Sequence, residues 1–255
     1  MQNSIHTSGS IGPPNPIPAI GLALVFGFPI LAFGDEITAT IRDWPHETAD
    51  IVTGFMEPGI IGRVEPDGTV RIPLAPDYTQ NMIKSMETQN FGDSEWTASM
   101  CAAGEVWGCD TGDLDVQNDD RYALNLATMG TFVIGNMEED VGYGMLMVTN
   151  SREFAEGYDP FGGSALSGWY IDWVHAETDI SILGDCEEFP LTLPEGELQA
   201  VTSYRIKLTP GWNLLKYEIE EVHEDESGRI WPKKSSYRTL DTLPEDAEFV
   251  FVSDK

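Results

Sequence analysis

The 255-residue chain carries 14 lysines and arginines against 43 aspartates and glutamates, a formal charge of -29 with a pI near 4.1. So acidic a balance excludes nucleic acid and anionic membrane surfaces as partners of the folded body, because both require a basic face. The length admits one large domain or two small ones, either of which buries a substantial core.

Ile17 to Phe33 form the one long apolar run, and the acidic pair Asp35-Glu36 follows it. Ala32 and Gly34 place small residues at the two positions that a signal peptidase reads. Residues 1–34 are therefore expected to be a signal peptide or apolar leader, and the protein to be extracellular or periplasmic. Residues 1–16 contain no Lys or Arg, and Pro18 and Pro29 interrupt the run. These features keep a short membrane anchor, or an apolar arm packed on the body, open as alternatives.

From Ile37 the pattern turns to period two. Ile37, Ala39 and Ile41 alternate with Thr38, Thr40 and Arg42, and short apolar stretches follow at Ile51 to Phe55 and Ile60 to Val64. The turn Glu65-Pro66-Asp67-Gly68 leads into another at Thr69 to Leu74. Asp67 to Leu74, DGTVRIPL, resembles the hairpin of carboxypeptidase-regulatory and prealbumin-like β modules. After Pro76, the spacing of Tyr78, Met82, Ile83 and Met86 predicts a short helix whose methionines pack. Together these make a small β-sandwich-like domain over 35–98, with a larger β-sandwich domain expected over 99–255.

Cys101 and Cys109 close a short loop, and in an exported chain a disulfide between them is the first expectation. Cys186 is then odd, and pairing with either of the other two stays open. No Cys-x-x-Cys pair supplies zinc ligands. The next stretch, CDTGDLDVQNDDR, crowds Asp110, Asp113, Asp115 and Asp119 into one loop. Calcium takes several hard oxygens converging on a point, so these four are the candidate metal ligands, although the glycine and the closing glutamate of an EF-hand are missing. The competing reading is a solvated acidic loop in an acidic protein, with no cofactor.

Strand signals then come close together: Tyr122 to Ala127, Thr131 to Ile134, Gly144 to Val148, Gly168 to Val174 and Asp179 to Leu183. Arg152 to Leu166 reads as a long loop whose Phe154, Tyr158 and Phe161 either form a binding surface or fold on one another. Tyr204 to Val222 reads as a hairpin. Tyr204, Ile206 and Leu208 make the buried row of its first arm, and Leu215, Tyr217 and Ile219 that of its second. Lys216 and Glu218 lie on the wet side, and Pro210-Gly211 forms the turn. Trp212 and Leu214 fall out of phase with Leu215, which predicts a bulge just after the turn. Ile230 to Tyr237 and Glu248 to Val252 complete an all-β chain of Ig-like or jelly-roll-like sandwich type.

Catalytic patterns are absent or poor. Gly162-Gly163-Ser164-Ala165-Leu166 fails the nucleophile elbow at its last position. His6, His46, His175 and His223 are far apart, and acidic pairs are too numerous for a glycosidase pair to be chosen. The segments Trp169-Tyr170-Ile171-Asp172-Trp173, Asp179 to Cys186 and Leu208-Thr209-Pro210-Gly211-Trp212-Asn213 resemble a group of bacterial exported β-rich proteins in which a strand ending in cysteine precedes a Leu-x-x-Gly-Trp-Asn turn. That resemblance implies export and β architecture, and no activity. The expected function is a noncatalytic surface or periplasmic module that binds a protein or glycan, the alternative being a secreted hydrolase with an acidic active site.

Overall fold

Among the described residues of the computed structural model, strands make up about 57% and helices about 10%, so the chain is all-β, as its alternating patterns predict. The structure describes residues 35–53, 59–88, 101–107, 109, 114–118, 120–158, 166–188, 190–193 and 196–253. In chain order the elements are β1 (Glu36–Thr40), β2 (Ala49–Thr53), β3 (Gly59–Val64), β4 (Thr69–Pro73), α1 (Tyr78–Thr88) and α2 (Ala103–Val106). Then come β5 (Asp115–Gln117), β6 (Ala123–Asn125), β7 (Thr131–Asn136), β8 (Val141–Thr149), α3 (Arg152–Gly157), β9 (Gly168–Ala176) and β10 (Ile180–Glu187). β11 (Leu191–Leu193), β12 (Gly196–Leu198), β13 (Val201–Leu208), β14 (Gly211–Glu224), β15 (Ile230–Leu240) and β16 (Glu248–Ser253) finish the chain.

Fourteen of the strands form one mixed sheet, whose main path runs β1-β4-β3-β2-β7-β8-β9-β14-β15-β13-β10-β5, with β16 on β8 and β6 on β9. The boundary expected between residues 98 and 99 does not divide it. Phe33–Lys255 form one compact unit, and β2 pairs with β7 across that boundary through Ile51↔Ile134 and its neighbours. The physical reason is a shared core. Ile51, Val64, Val70 and Ile72 from the first strands pack with Phe132, Ile134, Leu146 and Trp173 of the later ones, so neither part encloses its apolar face alone.

The residues that read as a hairpin do not pair with each other. β13 pairs in parallel with β15, and β14 pairs antiparallel with the same strand, so β15 lies between the two arms. Pro210 and Gly211 still make the turn, with Gly211 at φ 96°. Where the arms splay, the buried Asn213 replaces the missing ladder. Its Oδ1 accepts from the Thr209 N–H at 2.9 Å, and its Nδ2 donates to the Thr209 and Gly211 carbonyls at 2.8 and 2.9 Å. The expected bulge after the turn is displaced along β14, to Ile219–Val222. Lys216 is not on a wet face either. As a central strand, β14 is covered on both sides, leaving Lys216 5% exposed, over the Trp169 ring at 4.9 Å and paired with Glu218 at 2.8 Å.

The expected Cys101–Cys109 disulfide is also corrected: the bond joins Cys109 to Cys186 and leaves Cys101 free and exposed. The short α2 causes this, because Ala103 and Trp107 pack in the same cluster as Cys186 and carry the chain from an exposed Cys101 to β10. The expected helix after Pro76 is present as α1. It is fastened to the sheet by the buried Thr79 hydroxyl on His175 and by the Trp212 indole N–H, which donates to the Ala75 carbonyl at 3.0 Å.

Candidate functional site

A cleft of about 500 Å³ is lined by Arg42, Asp43, Arg152, Glu156, Phe251 and Ser253, with Pro45 and Val252. Arg42 follows β1, and Arg152 and Glu156 stand one turn apart on α3. β16 brings Phe251 and Ser253 alongside. The N-cap Ser151 fixes α3 through the Phe154 N–H at 3.2 Å. Arg152 donates to the Phe251 carbonyl at 3.2 Å and pairs with Glu156 at 3.5 Å, and Arg42 pairs with Glu248 at 3.7 Å. With Arg42 83% exposed, the cleft opens to solvent. Behind Phe251 lies an aromatic cluster in which His46 stacks on Tyr143 at 4.2 Å and Trp44 meets Phe251 edge-on at 4.9 Å.

Of the four candidate metal ligands, Asp110, Asp113 and Asp119 lie outside the described residues. Asp115 is exposed on β5, opposite Leu183. No group of three or more His, Cys, Asp or Glu placed to hold a metal occurs among the described residues. Within the expected loop 152–166, α3 was not foreseen. Phe154 is buried and stacks on Tyr158 at 5.4 Å, and Tyr158 in turn covers Tyr170, so these aromatics fold on one another. Phe161 lies outside the described residues. His175 is structural: its Nε2–H donates to the Pro76 carbonyl at 2.9 Å, Nδ1 faces the Thr79 hydroxyl at 2.8 Å, and burial lowers its pKa.

Two buried features escaped the sequence reading. Tyr170, Tyr217, Tyr237 and Tyr204 stand opposite one another across β9, β14, β15 and β13, with ring centroids 5.0, 4.7 and 5.6 Å apart along the row. Burial raises all four phenols, so they are neutral packing groups. In the same face, Asp172 is 2% exposed. Its Oδ2 accepts from Asn125 Nδ2 at 3.3 Å, while Asp172 Oδ1 and Asn125 Oδ1 are buried without a hydrogen-bond partner. Loss of hydration pushes its carboxyl up to about 8, against the opposing effect of the Gly130 N–H. A lone carboxylate inside WYIDWV was the available signal, hidden among 43 acids.

On the opposite face of β13–β15, Arg205, Arg238 and Lys216 are in register on three adjacent strands. Arg238 and Lys216 share Glu218, at 3.6 and 2.8 Å, and Arg205 pairs with Asp185 at 3.4 Å. Beside them Lys234 pairs with Glu220 at 2.8 Å. The Ser203 hydroxyl, then Arg205, holds Asp185 below the usual carboxylate range. No family model, curated protein or solved structure matches this chain.

Proposed function

We propose that the protein is an exported acidic module of β-sandwich type, extracellular or periplasmic, that binds a protein or glycan without catalysis. The observation that carries this reading is the Arg42/Arg152 cleft. Its lining supplies guanidinium donors, carboxylate acceptors and an aromatic floor, which are groups that recognise polar ligands. Its guanidiniums are engaged in ion pairs with Glu248 and Glu156. The Cys109–Cys186 bond supports an oxidising compartment. Among the described residues no helix is long and apolar enough to cross a membrane.

A specific observation favours a second reading: Asp43 and Glu156 line one cleft, as a hydrolase of glycosides would require of two carboxylates. The two are separated by calorimetric titration of glycan and peptide panels, together with a turnover screen on chromogenic glycosides and esters. The module reading expects a ligand whose affinity falls about tenfold or more in Arg42→Glu and Arg152→Glu, with no turnover. Turnover abolished by Asp43→Asn or Glu156→Gln would establish the hydrolase instead.

A further inference from the structure

β16 is an edge strand. Among the described residues it pairs with β8 alone. In an antiparallel ladder the N–H and C=O of one residue point to the same side, and the side alternates from residue to residue. The Phe251 carbonyl accepts from the Arg152 guanidinium at 3.2 Å, which turns the backbone groups of Phe251, and by the alternation those of Ser253, away from β8. Side chains wall this edge on both sides. Phe251 meets Trp44 and His46 of the loop after β1, while Val250 and Val252 turn to the opposite face and pack in one cluster with Phe154 and Ala155 of α3. The cleft of about 500 Å³ between residues 42–45 and α3 therefore runs along the open backbone edge of residues 251–253.

We propose that this edge takes up an extended polypeptide segment of a partner as an added strand. The inference rests on the reading of the cleft as a binding site, and commits that site to a peptide. The backbone carries the argument. The outward groups of β16 recur at every second residue, about 6.7 Å apart, and a second extended chain presents its own N–H and C=O groups at the same spacing. A glycan has no such ladder. Charge does not choose the occupant, because Arg42 and Arg152 line the cleft beside Asp43 and Glu156. Alternate side chains of the added strand lie against the loop after β1 and against α3, which gives specificity to an attachment made by main chain. Without the partner, Arg152 covers the Phe251 carbonyl, as charged side chains commonly blunt an exposed edge. Its side chain is 56% exposed, so it yields to a peptide N–H by moving outward into solvent.

The probes are heptapeptides selected on the full chain from a random phage-displayed library, resynthesised with a fluorescein label and titrated by fluorescence anisotropy. N-methylation of alternate peptide residues should weaken binding about tenfold or more in one register, where the methyl groups face β16, and leave it unchanged in the other. Ser253→Pro removes one outward N–H at a position where an edge strand tolerates proline, and should also cost about tenfold. Lys207→Glu, on β13, keeps wild-type affinity. If Ser253→Pro folds poorly, the N-methyl series on the wild-type chain still decides. A peptide whose binding is lost in Arg42→Glu but is indifferent to the register of N-methylation would keep the cleft as a binding site and overturn strand addition. A glycan that binds in the cleft while no heptapeptide does would have the same meaning, and an equal loss in Lys207→Glu would place the peptide elsewhere and overturn the proposal.

Discussion

Replacing Asp172 by asparagine should change how stability depends on pH. The folded-state pKa of about 8 lies above the ordinary value of 3.8, so the folded chain holds a proton that the unfolded chain releases. The stability Asp172 contributes is therefore fully present below about pH 3.8 and is lost as pH rises through about 8, with a slope near 1.4 kcal/mol per unit between. A neutral amide at this position has no such linkage. Titrations of the many surface acids are common to both proteins and cancel in the difference between them. That difference should move in the variant's favour by about 3 kcal/mol between about pH 5.5 and about pH 9, then level off. Whatever the new amide costs in packing shifts the curve without bending it. Urea unfolding followed by tryptophan fluorescence at several pH values measures it, helped by Trp169 and Trp173 on the same strand. A difference that stays flat across this range would refute the assignment of a buried, protonated carboxyl.

Three other outcomes follow from the same geometry. Cys186→Ser should destabilise the fold by about 4 kcal/mol, the chain-entropy value for closing so long a loop, because the bond spans 77 residues. Cys101→Ser should leave stability unchanged, and non-reducing peptide mapping should recover the 109–186 link. Asn213→Ala removes both the donor and the acceptor that serve Thr209 and Gly211 and should cost about 3 kcal/mol by denaturant titration. Asn213→Asp keeps the acceptor toward the Thr209 N–H but sets a buried carboxylate oxygen against the Thr209 and Gly211 carbonyls, and should cost at least as much. Gly130→Ala should cost about 3 kcal/mol or more, because φ there is +76° and a Cβ would sit 2.2 Å from the Tyr170 ring.

The strands were legible because a half-buried strand writes its own period. Ile72 and Val70 against Arg71, or Ile206 and Tyr204 against Arg205, need no knowledge of their partners. Pairing was not legible in the same way. Pro210-Gly211 carries strong local turn chemistry, and nothing within Tyr204 to Val222 records that a strand from further along the chain lies between the arms. Lys216 was misplaced for the same reason, since the second layer over β14 comes from residues far away in sequence. The disulfide turned on α2, which is too short to show a period. At the candidate cleft, Arg42, Arg152 and Phe251 are brought together from three distant segments, and no local spacing announces them.

The insertion of β15 has a consequence for the order in which the chain assembles. β14 and β15 are joined through the tight Asp225–Arg229 turn, and β10 and β13 are near neighbours in sequence, so each antiparallel pair closes locally and fast. The parallel seam between β13 and β15 joins the two pairs and closes over a longer stretch of chain. Before residues 230–240 are available, β13 and β14 have unpaired edges and a Pro-Gly turn already suited to pairing them directly. That hairpin is the competing state to which the local sequence is drawn, and it conflicts with the global fold. A chain emerging N-terminus first passes through an interval in which only this wrong partner is present, and every copy that takes it must unzip it before β15 can enter.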